Sequence, residues 1–208
     1  YKKAVHKMEQ EPKADQPVKK KKEVTKSAAK EISYIALAVA LLAVCAWISL
    51  PIGEVAFTLQ TFAVCFIGGL LGIRRGTAAV AIYIFMGLIG IPVFAGFKAG
   101  TAVLFGTTGG YLIGFLFTAP ITGLAKFIPV RKLWAKIFLL YLFMIVGLAV
   151  CYFFGTVWFI TMFARLNDRS ISVYAALSAC VFPFILPDLI KLAIAAALCV
   201  RLEKVLFR

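Results

Sequence analysis

Six stretches of this chain are so continuously apolar that water is the wrong solvent for them. They run over 32–50, 57–72, 77–91, 108–126, 137–163 and 175–200. About 18 or more apolar residues in an α-helix match the hydrocarbon thickness of a bilayer. The second and third runs are shorter and contain glycine. In lipid every backbone polar group must be paired within the protein, which leaves helices and closed barrels. The alternating pattern of a barrel strand is absent from these runs. The expected fold class is therefore an all-α membrane protein with six transmembrane helices. Composition agrees: 62% of residues are hydrophobic and 15% charged, too few charges to coat a soluble domain of 208 residues.

The net charge of +14 invites a nucleic-acid reading, but its distribution points elsewhere. If six spans alternate, nineteen of the 23 Lys and Arg fall on one side: ten in residues 1–31, then Arg74, Arg75, Lys126, Arg131, Lys132, Lys136, Arg201, Lys204 and Arg208. The other side receives Lys98, Arg165 and Arg169, and Lys191 alone lies inside a span. Cytosolic loops carry such an excess of cations. The split predicts a multi-pass protein of a bacterial inner membrane with both termini cytosolic, and no nucleic-acid partner.

Residues 1–31 are expected to form a disordered, Lys-rich cytosolic tail, since nothing there can bury a core. Lys19 to Lys22 can touch anionic lipid. Some thirty polar residues precede the first apolar run, so no cleaved signal peptide is expected. The membrane domain is assigned to 32–204 and a cytosolic C-terminus to 205–208. The five cysteines lie in apolar runs without metal-ligand spacing, and the one histidine, His6, is in the tail. No metal site is expected.

Small residues let helices approach closely in lipid. Ala36 and Ala40, Gly68 and Gly72, and Gly110 and Gly114 supply such pairs. Packing within the chain is the default reading; packing against another subunit is most plausible for Ala36 and Ala40. Ionisable residues inside the membrane mark function by default. Asp188 and Lys191 are three apart and so share a helical face. Lys191 sits nine residues before Val200, roughly 13 Å deep and near the midplane. Pro183 and Pro187 interrupt the helix just before them, freeing carbonyls that must find partners or line a cavity. A carboxylate that accepts beside an ammonium that donates suits a neutral ligand with N–H groups and a carbonyl. A self-satisfied ion pair that only holds the bundle together is the alternative.

Two external connections border this pair. Residues 91–110 are apolar and Gly-rich and carry one cation, Lys98. They can form a lid, with Thr107 or Thr108 capping the fourth helix. The segment 51–60 places Thr58 and Gln60 near the outer mouth. What is missing narrows the class further. There is no P-loop, no second intramembrane aspartate for an aspartyl protease, and no serine with a base nearby in sequence. An enzyme is not expected. Neither a ring of charge nor a visible inverted repeat favours a channel or a stand-alone carrier. A small binding subunit driven by energy from elsewhere remains.

Four runs, in order, resemble the BioY family. They are Val55-Ala56-Phe57-Thr58-Leu59-Gln60-Thr61-Phe62 through Gly72-Ile73-Arg74-Arg75-Gly76; Gly87-Leu88-Ile89-Gly90-Ile91-Pro92-Val93-Phe94; Thr108-Gly109-Gly110-Tyr111-Leu112-Ile113-Gly114-Phe115; and Pro187-Asp188-Leu189-Ile190-Lys191. Ala56 and Thr107 depart from the usual family residues, and Leu186-Pro187-Asp188 lacks the Gly usual between Pro and Asp. The resemblance covers about 32–204. It implies a biotin-specific substrate-binding (S) component of an energy-coupling factor (ECF) transporter. Ala36 and Ala40 would then pack on a transmembrane coupling subunit, and two partner ATPases would use the ATP, with no cofactor in this chain. Biotin's ureido ring would offer its two N–H groups to Asp188 and its carbonyl to Lys191. Its carboxylate would meet Lys98 or the start of the fourth helix, and its rings would pack on Tyr83, Phe94 and Tyr111. An S component for another vitamin, or a channel or scaffold subunit with a structural Asp–Lys pair, is the alternative.

Overall fold

The computed structural model describes the backbone of residues 16–51 and 55–206. The chain divides into two compact units, Tyr1–Ser33 and Tyr34–Arg208. In the first unit the described residues are helical, as the N-terminal part of α1 (Gln16–Trp47). The sequence predicts disorder through residue 31, and over 16–31 that expectation is corrected. Lys, Glu, Ala and Gln favour helix, and Pro17 sits in the first turn, where it is tolerated. A helix already formed by the apolar segment needs no new nucleus to extend through them. Residues 1–15 and the side chains of Lys19 to Lys22 lie outside the described residues.

The second unit is helical apart from its connections. After α1 comes a two-stranded antiparallel pair, β1 (Ser49–Leu50) with β2 (Phe57–Thr58), in which Ser49 faces Thr58. The all-helical expectation does not include this pair. It ties the chain leaving α1 to the chain entering α2 (Gln60–Leu88). Residues α3 (Thr101–Leu104), α4 (Gly109–Leu124), α5 (Leu133–Asn167), α6 (Val173–Cys180) and α7 (Phe182–Leu206) follow.

The helix α2 is not straight. Gly72 has φ 80 and ψ −177, a conformation open to glycine and strained for other residues. In a continuous helix Gln60 and Tyr83 would stand about 34 Å apart; here their side chains are 2.7 Å apart. A Cβ built on Gly76 would lie 3.0 Å from Gly68 Cα. The chain therefore folds back at Gly72 into two antiparallel arms, 60–71 and 73–88. Lys126, in the turn that ends α4, donates to the Leu70 carbonyl at the end of the first arm.

Among the described residues, five segments are long and apolar enough to cross a membrane: Ala28–Trp47, Gln60–Leu88, Gly109–Phe127, Leu133–Asn167 and Phe182–Leu206. The apolar run over 175–200 is divided in the structure. Val181, at φ −127 and ψ −56, separates α6 from α7. Pro183 lies in the first turn of α7, where its missing N–H costs nothing. Within the bundle α4 packs on both α2 and α5, and α7 packs on the same two helices. Glycine makes this possible. At Gly68 a Cβ would stand 2.5 Å from the Ala119 carbonyl oxygen, at Gly110 2.2 Å from Trp158 Cβ, and at Gly114 2.9 Å from Cys151 Cα. These contacts lie inside the chain, whereas Ala36 and Ala40 on α1 are exposed.

Candidate functional site

The kink-prone start of α7 brings a carboxylate and an ammonium into the bundle. Pro187 offers no N–H to the Pro183 carbonyl four residues earlier, so this turn is held from outside as well as within. Asp188, the next residue, and Lys191, three further on, are 3% and 8% exposed. Their ion pair is 2.8 Å long and engages Oδ1 of Asp188. A pair this deep is stable only if its remaining donors and acceptors are met.

They are met from three directions. Thr61, in the first arm of α2, donates to Asp188 Oδ1 at 3.0 Å. Tyr152, on α5, donates to Oδ2 at 2.7 Å. Lys191 Nζ donates to the Thr58 backbone carbonyl at 2.7 Å and lies 3.7 Å from the centroid of the Phe57 ring. The β1–β2 pair is what aims that carbonyl and ring inward. A carboxylate has about four acceptor sites and an ammonium three donors. Among the described residues, three of the former and two of the latter are filled. One acceptor and one donor are left.

Both residues line a cavity of about 240 Å³ between the helix ends and the outer connections. That is small-molecule scale, near the lower end of ordinary ligand pockets. Its wall includes Phe57, Phe115 and Phe184, with Lys98 at an exposed position. Of the residues singled out from sequence, Asp188, Lys191, Lys98, Phe94, Tyr111, Thr58 and Gln60 line it. Tyr83 does not, which corrects its assignment as a packing wall for the ligand. It is fully buried behind Gln60, where its hydroxyl accepts from Gln60 Nε2 and donates to the Val93 carbonyl at 3.1 Å. Its ring instead meets Phe94 edge-on, at 5.6 Å.

The connection over 91–110 does reach the cavity, through Phe94, Ala95, Lys98, Val103 and Thr108. Phe94 and Lys98 are bridged across the turn between them, and Trp47 at the end of α1 donates to the Pro92 carbonyl at 2.9 Å. Thr108 occupies the N-cap of α4, but its side chain makes no capping bond, contrary to expectation. Nothing local in the sequence marks Tyr152 and Thr61 as partners of Asp188. Both are ordinary residues within apolar runs, and the sequence carries no signal that α5 and the first arm of α2 converge on Asp188. Among the described residues no cluster of His, Cys, Asp or Glu could hold a metal ion.

Membrane-length helices that close on a buried, partly satisfied ion pair beside a small cavity define a membrane-embedded binding protein for a small polar molecule. The profile described as the BioY family matches residues 16–208, and the chain belongs to that family. It is 43% identical to the "Biotin transporter BioY" of Thermotoga maritima, over 79% of this chain and 90% of that one. It is 41% identical to the "Probable biotin transporter BioY" of Pyrococcus horikoshii, over 84% and 97%. The fold is similar to that of a crystal structure of the S-component for biotin from an ECF-type ABC transporter. That likeness has a TM-score of 0.73 and 28% identity and covers 86% of this chain and 93% of the other.

Proposed function

We infer that this chain is the biotin-binding S component of an ECF-type vitamin uptake transporter. The observation that carries the reading is the buried Asp188–Lys191 pair, which presents one open acceptor beside one open donor to a small cavity. An N–H of the ureido ring meets Asp188 and the ring carbonyl meets Lys191. The aromatic wall takes the bicyclic body, with Phe94 and Tyr111 among its rings. The carboxylate of the valeryl chain lies toward Lys98. The chain binds and releases; it carries out no covalent chemistry.

Six spans in a bacterial cytoplasmic membrane, with both termini cytosolic, fit this reading. The fold-back at Gly72 supports counting α2 as two spans, and the cation distribution supports the orientation. The tail 1–31 and the membrane domain 32–204 remain the proposed organisation. ATP is used by two partner ATPases through a transmembrane coupling subunit. The exposed Ala36 and Ala40 of α1 are the proposed contact with that subunit. Replacing Ala40 by Trp should leave biotin affinity within twofold while abolishing co-purification with the coupling subunit; retained assembly would move the contact elsewhere.

The direct test is purification in detergent followed by thermal melting with biotin, riboflavin and thiamine. Stabilisation by biotin alone is expected, with a size that follows the ligand concentration relative to Kd. Stabilisation by riboflavin or thiamine and not by biotin would replace the substrate. A response to none of the three would leave the Asp–Lys pair as scaffold.

A further inference from the structure

A ring urea carries an N–H on each side of its carbonyl, and the two N–H bonds diverge. One carboxylate therefore cannot receive both, and Asp188 has about one acceptor site left. The second N–H needs an acceptor on the far side of Lys191. A chain of hydrogen bonds in the structure prepares one.

The chain starts at the Val93 carbonyl, which can only accept. Tyr83, 3.1 Å away, must give it its single hydroxyl hydrogen. The Gln60 atom 2.7 Å from the Tyr83 oxygen must then be a donor, so it is the amide nitrogen Nε2. This logic settles the orientation of the Gln60 amide, which geometry of the side chain alone would not. Oε1 is left on the other side, where Thr58 Oγ1 donates to it at 3.2 Å. An amide oxygen has two lone pairs, so one remains. Gln60 is buried and lines the cavity. Thr58 connects it to the ion pair, because its backbone carbonyl takes a hydrogen from Lys191.

We propose that Gln60 Oε1 accepts the second ureido N–H and that Tyr83 is the positioning residue that holds the amide in that orientation. The site then reads acceptor, donor, acceptor along Asp188, Lys191 and Gln60, the complement of N–H, C=O, N–H in a cyclic urea. This rests on biotin being the ligand. It gives Tyr83, which touches no ligand, a part in specificity.

The test uses biotin and its two ring-carbamate analogues, in each of which one ureido N–H is replaced by oxygen. The purified wild-type chain should bind both analogues at least tenfold more weakly than biotin. Gln60→Met should lose discrimination against one analogue, to under threefold, and keep it against the other, whose missing N–H faces Asp188. Tyr83→Phe should lower discrimination against the Gln60-side analogue at least threefold, because the amide is then free to turn. Wild-type protein that binds either carbamate as tightly as biotin overturns the proposal without any variant. Gln60→Met that discriminates as wild type does also overturns it, and unchanged discrimination in Tyr83→Phe overturns the positioning role. Failure of the wild type to bind biotin would instead sink the substrate reading.

Discussion

Asp188→Asn should bind biotin between ten- and a hundredfold more weakly than the wild type while the helices stay assembled. The substitution is nearly isosteric, so packing is kept. What goes is the charge behind a ligand hydrogen bond, and bonds to charged groups contribute about 1.5–3 kcal/mol; tenfold in Kd is about 1.4 kcal/mol. The amide also has one acceptor oxygen where the carboxylate has two, so Thr61, Tyr152 and Lys191 compete for it. Lys191 keeps the Thr58 carbonyl and the face of Phe57, which is why assembly survives. Calorimetric titration with biotin, together with size-exclusion chromatography in detergent, checks both halves. A monodisperse variant with wild-type affinity would place the ligand elsewhere.

Lys191→Met should have the largest effect on stability. It leaves Asp188 as an uncompensated carboxylate at 3% exposure. Removing one partner of a buried pair costs about 3–5 kcal/mol, whereas replacing both by apolar residues is often neutral. The double variant Asp188→Leu with Lys191→Met should therefore recover at least half of the lost melting temperature and still fail to bind biotin. That outcome separates a pair kept for its ligand from a pair kept for the fold. A double variant as unstable as Lys191→Met would show that the polar network around the pair holds the bundle together.

Much of this arrangement can be read in the residues, for identifiable reasons. Hydropathy marks the membrane segments because lipid imposes one requirement on every span. Gly72 ends the second apolar run, and the turn in α2 falls on it because positive φ favours glycine. Asp188 and Lys191 stand out because ionisable side chains are costly in lipid and their spacing defines a shared face. The division of the last apolar run at Val181 is not legible, because the residues there are as apolar as their neighbours. Helix formation over 16–31 is missed because low hydrophobicity argues against a core, while propagation from an existing helix needs none.

Tyr152 and Tyr83 draw the line between the two kinds of information. The sequence by itself determined that an Asp and a Lys share a helical face within an apolar run, because charge and spacing are local properties. It also determined the family, because its motifs are local and ordered. Which side chains complete the pair depended on the tertiary structure. Thr61 lies 127 positions from Asp188 and Tyr152 lies 36, and no local rule selects them. Tyr83 lies outside the cavity wall because the fold-back at Gly72 sets it against Gln60. Only packing assigns such roles, since a hydroxyl's partners are decided by whatever the folded backbone brings within about 3 Å.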